Sequence, residues 1–344
     1  MVLSYRRELD ALETHMLKEI RTALACLALL CFVANRASAE RHHHHKDGGP
    51  SAEAGVNCYD PSDPNEIRLW NGAAPGAMGN DPCRDIPYLR VYAPPTKEGA
   101  SRRTAILIVP GGGYDRLSDR KEQAPVAEYF SQKLGVTAFI LFYRLVQVDG
   151  TYRYPVPIWD GQRALKLVRS RAAQFGVSPD RIGLFGFSAG GHLAATVTLH
   201  SASDFDLPQR DAIDATKGRP DFLGLGYPVI SMLPDQDASM NSLRHLLYGY
   251  AGRDLDHLEH YLSGQEHITP RTPPVFLFES LDDERISSQN SVLFAQALQT
   301  AHISAEVHLF KHGVHGAGLA EGIPEEQNWP EMFHSWLERQ GYMQ

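Results

Sequence analysis

Arg181-Ile-Gly-Leu-Phe-Gly-Phe-Ser-Ala-Gly-Gly-His192 is the stretch on which the reading of this chain turns. It divides into a short apolar strand, a Gly-Phe-Ser-Ala-Gly pentapeptide and the start of an Ala-rich helix, residues 193–197. A Gly-x-Ser-x-Gly sequence between strand and helix marks a turn so sharp that the serine takes strained backbone angles and only small neighbours escape a clash. Gly186 and Gly190 are those neighbours. Ser188 is therefore the expected nucleophile, its Oγ raised above the sheet edge. The helix N-terminus behind it places partial positive charge where an oxyanion develops.

Outward from this turn, strand and helix patterns alternate. Apolar or alternating runs at 89–93, 105–109, 136–145, 222–229, 275–278 and 305–310 predict strands, the central ones buried on both faces. Amphipathic stretches at 123–134, 159–175, 289–301 and 329–340 predict the helices between and after them. Such alternation predicts an α/β fold, a mostly parallel sheet with helices on both faces. Two further helical stretches, 243–250 and 254–262, stand in polar connections within 231–271 and predict a small helical lid.

A serine nucleophile needs a base within hydrogen-bond reach and an acid to orient that base. His315 is the expected base, in Lys311-His-Gly-Val-His-Gly-Ala-Gly-Leu319, where flanking glycines let the loop bend over the serine. His312 is its nearest rival. His192, inside the helix after the turn, suits packing or polar support of the turn better. The acid is Asp282 or Asp283, both in the loop after the 275–278 strand; as a plain alternative, Asp there caps a turn. Gly111-Gly112-Gly113 follows a buried strand. With no Gly-x-Gly-x-x-Gly and no Lys-Ser/Thr after it, an oxyanion hole is the better reading than a phosphate cradle. One N–H would come from this loop and one from Ala189. No metal or organic cofactor is implied.

The net charge of −8 leaves no basic footprint for nucleic acid. Residues 24–34 are wholly apolar, follow Lys18 and Arg21, and precede Ala37-Ser38-Ala39. Residues 1–39 therefore read as a signal peptide, with Met16 as a second candidate start, and the apolar run is too short to span a membrane. Secretion or periplasmic export without stable membrane insertion is the expectation. Residues 40–60 read as a flexible polar leader, whose four histidines, His42 to His45, suit a solvated run better than a metal site. Residues 61–344 are the expected catalytic domain. Cleavage after Ala39 leaves Cys58 and Cys83, either paired or as two buried thiols.

One family resemblance runs through most of the mature chain, about residues 66–342. Ile67-Arg-Leu-Trp70, Ala74-Pro-Gly-Ala77, Pro110-Gly-Gly-Gly-Tyr114, Tyr143-Arg144, Asp160, Gly186-Phe-Ser-Ala-Gly-Gly-His-Leu193, Thr272-Pro-Pro274 and His315-Gly316 stand in the order found in acetylxylan-esterase-like (xylanase B-like) α/β hydrolases. The chain resembles that family. The resemblance implies an α/β-hydrolase fold with Ser188 as nucleophile, Asp283 as acid and His315 as base. It also implies Gly112, Gly113 and Ala189 as the oxyanion hole, and Tyr114 near the substrate. The implied activity is a secreted serine esterase acting on short acyl (acetyl) esters of xylan or a related plant glycan. A feruloyl or other carboxylesterase and a serine peptidase are alternatives in the same class; a non-catalytic glycan-binding protein on the same fold is the alternative outside it. The family's acid loop continues with Val-Pro where Ile286-Ser287 stand here, and Val314 and Ala317 replace a glycine and an aromatic in the histidine loop. Those departures bear on the acyl pocket, since the reactive groups remain.

Overall fold

Eight strands form one sheet: β1 (Glu66–Arg68), β2 (Tyr88–Tyr92), β3 (Arg103–Val109), β4 (Thr137–Phe142), β5 (Val177–Phe187), β6 (Leu223–Gly226), β7 (Val275–Ser280) and β8 (Ala305–Phe310). Their order across the sheet is β1-β2-β4-β3-β5-β6-β7-β8. These elements come from a computed structural model that describes residues 57–95, 103–118 and 120–343. The expected signal peptide, His42 to His45 and the rest of the leader up to residue 56 lie outside the described residues.

From β4 through β8 every neighbouring pair is parallel, whereas β1 with β2 and β2 with β4 are antiparallel. No helix separates β1, β2 and β3, so the chain has no crossover there with which to build parallel pairs. The helices are α1 (Ala124–Glu128, continued by a π-turn at Tyr129–Lys133), α2 (Val156–Ser170), α3 (Ser188–Leu199), α4 (Met240–Leu246), α5 (Gly252–Tyr261), α6 (Gln289–Thr300) and α7 (Trp329–Arg339). The helix expected over 159–175 starts earlier: Pro157 sits in its first turn, where a missing N–H costs nothing. It also ends earlier, and 171–176 are turns that feed β5.

Residues 57–60, expected at the end of a flexible leader, belong to the folded unit. Cys58 is disulfide-bonded to Cys83, the Tyr59 N–H donates to Pro82 O at 2.9 Å, and the Tyr59 ring lies against Tyr88.

The strands β3, β4 and β7 are buried along nearly their whole length. One face of the sheet carries an aromatic layer in which Phe130, Phe185, Phe187, Phe278 and Phe333 surround Trp329 at the start of α7. Trp329 stacks on Phe278 at 4.7 Å, and its indole N–H donates to Gly318 O at 2.9 Å. The same side chain thus fills the core and holds the loop after β8. Beneath the other face, Arg144 and Asp160 form a buried ion pair, and Arg144 also reaches Pro75 O at 2.7 Å, pinning the Ala74–Ala77 segment to the sheet.

Candidate active site

Four loops meet at the carboxyl ends of the parallel strands, the edge at which ligands sit in open α/β sheets. Ser188 follows β5, the glycine loop follows β3, Asp283 follows β7 and His315 follows β8.

Ser188 has φ +51°, a left-handed conformation that a residue with a side chain rarely adopts. Its neighbours explain how the turn closes. A Cβ on Gly190 would run into the carbonyl oxygens of Val109 and Pro110, and one on Gly186 into Gly190 O and Gly191 Cα. Only glycine lets β5, the turn and the glycine loop approach so closely.

His315 Nε2 lies 2.9 Å from Ser188 Oγ, and His315 Nδ1 lies 2.7 Å from Asp283 Oδ2. The other Asp283 oxygen accepts the N–H groups of Arg285 at 2.8 Å and Ile286 at 3.0 Å. Burial pushes the Asp283 carboxyl up, but the hydrogen bonds from His315 and these two amides outweigh it, so the group is held below the usual carboxylate range. Asp282 takes a separate place: Oδ2 is 2.9 Å from His312 Nδ1 and Oδ1 accepts the Gly313 N–H at 2.8 Å, all near the surface. Two Asp–His pairs run side by side, and only the inner one reaches the serine. His192 is buried with both ring nitrogens engaged: Nε2 donates to Leu262 O at 2.9 Å and Nδ1 accepts from the Tyr114 hydroxyl at 2.6 Å. Burial pushes its pKa down to about 4, which keeps the ring neutral.

Gly112 and Gly113 line the cavity that contains Ser188 and His315. Ala189, second in α3, carries one of the N–H groups that a helix leaves without an intrahelical partner. Gly111, by contrast, donates its N–H to Glu122 Oε2 at 2.7 Å. Tyr114, which the family resemblance puts near the substrate, faces inward. Its side chain is fully buried behind the glycine loop, bonded to His192 and edge-on to Tyr143, and it does not line the cavity.

Glu122 went unnoticed in the sequence. It lies 1% exposed at the cavity floor, where Oε1 also accepts the Tyr227 hydroxyl at 3.1 Å. Tyr227 in turn accepts the Gly318 N–H at 3.0 Å and packs its ring 5.0 Å from His315. Burial raises the Glu122 pKa against the opposing pull of Gly111, Tyr227 and His315. The carboxyl therefore joins the glycine loop to the histidine loop. An acid at the head of an amphipathic helix gives no sign of this, because its partner stands 105 residues away.

The cavity has a volume of about 590 Å³. The expected lid contributes α4: Asn241 and Ser242 face the cavity, and His245 Nδ1 donates to Gly113 O at 3.0 Å. Of the four residues that depart from the family pattern beside the acid and the histidine, Ile286 lines the cavity, Ser287 and Val314 are exposed and Ala317 is buried.

Comparison with known proteins finds esterases among those similar to this chain. Residues 89–298 match the BD-FAE family, a span that contains Ser188 and Asp283 and stops short of His315. Endo-1,4-beta-xylanase B of Butyrivibrio fibrisolvens is 29% identical over 238 residues, 68% of this chain and 34% of the relative. The acetylxylan esterase of Xylanibacter ruminicola is 28% identical over 235 residues, 68% of this chain and 45% of the relative. The chain thus spans between a third and a half of the length of these two curated relatives. Among solved structures, an acetyl ester-xyloside bifunctional hydrolase from Caldicellulosiruptor lactoaceticus superposes with a TM-score of 0.71 at 33% identity, over 81% of this chain and 97% of that one.

Proposed function

The chain belongs to the BD-FAE family and has the α/β-hydrolase fold, and on that footing we propose that it hydrolyses carboxylic esters through an acyl-enzyme on Ser188. The single observation that carries this reading is the unbroken Ser188–His315–Asp283 chain at 2.9 and 2.7 Å. His315 Nε2 takes the Ser188 proton as Oγ attacks the ester carbonyl; Asp283 holds Nδ1–H and balances the imidazolium that forms. The tetrahedral oxyanion is received by the N–H groups of Gly112, Gly113 and Ala189. Because Gly111 is already committed to Glu122, the loop's two later amides are the ones left to serve. Collapse expels the alcohol, which takes the proton from His315. A water then gives its proton to the same nitrogen, attacks the acyl carbon and returns Ser188 to its starting state as the carboxylic acid leaves.

Short acyl esters, acetyl groups on xylan or a related plant glycan, are the substrate we favour. Among the described residues the aliphatic side chains lining the cavity are Leu117 and Ile286, a small apolar contact that suits a short acyl group. The named relatives point the same way. Export through residues 1–39 belongs to this reading; the Cys58–Cys83 disulfide suits an oxidising compartment, and among the described residues no helix is long and apolar enough to cross a membrane.

Labelling with a fluorophosphonate, which captures only an activated serine, tests the proposal directly. Ser188 should be labelled in the wild type, and Ser188→Ala should lower kcat on an aryl acetate by roughly 10⁴–10⁶-fold with the melting transition intact. Activity of Ser188→Ala within about tenfold of wild type would overturn it.

A further inference from the structure

The charges around the cavity run against those of the molecule. The chain carries 41 acidic and 33 basic residues, yet Arg116, Lys121 and Arg285 all stand in the lining of the cavity that holds Ser188. Glu122 is the only carboxylate in that lining among the described residues, and both of its oxygens are already bonded inward. Asp115 sits 3.5 Å from Arg116 but also faces His245 at 3.7 Å and does not line the cavity. Lys121 and Arg285 make no ion pair among the described residues. A second observation sharpens the first: among the described residues no Phe, Tyr or Trp side chain lines the cavity. A neutral sugar is ordinarily held by stacking on aromatic faces and by side-chain acceptors for its hydroxyls. This cavity offers the hydroxyls of Ser118, Ser239 and Ser242 and the amide of Asn241, with the positive charge of Arg116, Lys121 and Arg285 beside them.

Building on the esterase reading above, we propose that the preferred substrate is an acyl ester on an anionic saccharide, with a carboxylate lying within about one sugar of the scissile bond. Arg116 and Lys121 come from the segment after β3 and Arg285 from the loop after β7, so a carboxylate entering beside the ester meets charge delivered by two separate loops. Arginine's planar fork matches a carboxylate in two parallel hydrogen bonds. The same field also raises the local concentration of an anionic substrate at the cavity mouth.

The test compares acetylated xylo-oligosaccharides that carry a glucuronate branch with the same oligosaccharides after reduction of the carboxylate to an alcohol, matched for acetyl content. Exposed pairs are each weak, so two or three acting together should favour the acid by about tenfold in kcat/KM. That preference should shrink as NaCl rises from about 0.01 M to about 1 M, where screening shortens to a few ångströms. In Lys121→Glu/Arg285→Glu the ratio of acid to neutral substrate should invert; if that protein does not fold, Lys121→Gln and Arg285→Gln should each lower the ratio. Equal rates on acid and neutral substrates, with 4-nitrophenyl acetate still hydrolysed, would overturn this inference and leave the esterase reading standing. No hydrolysis of 4-nitrophenyl acetate would overturn both. A preference for sulfated over glucuronate-bearing oligosaccharides would overturn the carboxylate assignment.

Discussion

Replacing Asp283 with asparagine separates two carboxylates that sit one residue apart. In the wild type Oδ2 faces His315 Nδ1 at 2.7 Å while Oδ1 accepts the amides of Arg285 and Ile286. An asparagine keeps its carbonyl oxygen on those two N–H donors, and its NH₂ then faces Nδ1. The ring must accept there, so its proton moves to Nε2, the nitrogen 2.9 Å from Ser188 Oγ, and the base is lost. With Asp283 buried and the ring largely shielded, bulk water offers no easy substitute. The expected loss in kcat is about 10⁴-fold, roughly 5.5 kcal/mol of barrier, with little change in KM. Asp282→Asn perturbs an exposed pair with His312 and one capping bond to Gly313, together worth about 1 kcal/mol. That variant should stay within a few-fold of wild-type rate and melt about 2–4 °C lower. Steady-state hydrolysis of 4-nitrophenyl acetate and thermal unfolding of both proteins give the answer. If Asp283→Asn kept activity within tenfold of wild type, or Asp282→Asn lost it, the assignment of the inner pair would be wrong.

Glu279, fully buried at the end of β7, has its pKa pushed up to about 8 by burial and by the Asp283 charge, against an ordinary 4.5. The folded protein keeps a proton that the unfolded chain releases, so stability falls as pH rises from about 4.5 to 8. Glu279→Gln should therefore gain roughly 3 kcal/mol on wild type between pH 5 and pH 8 in urea unfolding; identical slopes for the two proteins would refute this. For Glu122, Gln keeps an acceptor for the Gly111 N–H and Ala does not. Glu122→Gln should retain kcat within about tenfold, whereas Glu122→Ala should lose about 10²–10³-fold, the scale of one oxyanion donor, with KM little changed. A loss in KM alone would show that Glu122 does not position the glycine loop.

What the sequence made legible was whatever a short motif must contain for local reasons. The turn around Ser188 needs Gly186 and Gly190 because neighbouring backbone passes where a Cβ would stand. Seven of the eight strands were legible from apolar runs; the three-residue β1 was not, nor was the antiparallel pairing of β1 and β2, which depends on how the chain returns rather than on its residues. The long-range bonds were not legible. Tyr114 turns inward because His192, 78 residues on, has a ring nitrogen free to accept its hydroxyl. Nothing beside Glu122 announces Tyr227, and the spacing of Cys58 and Cys83 is equally compatible with thiols and with the bond the structure contains. The end of the leader was misplaced for the same reason: Tyr59 looks like part of a polar segment until Tyr88 is beside it.

The order in which the strands enter the sheet has a consequence for the chain in the making. Ser188 sits behind β5 in the middle of the sheet, and its proposed base arrives 127 residues later, after β8 at the edge. A chain emerging N-terminus first therefore presents its serine long before anything can deprotonate it. A nascent polypeptide therefore cannot acylate itself or hydrolyse an ester in passing. Reactivity is switched on by a topological event, the docking of β8 beside β7.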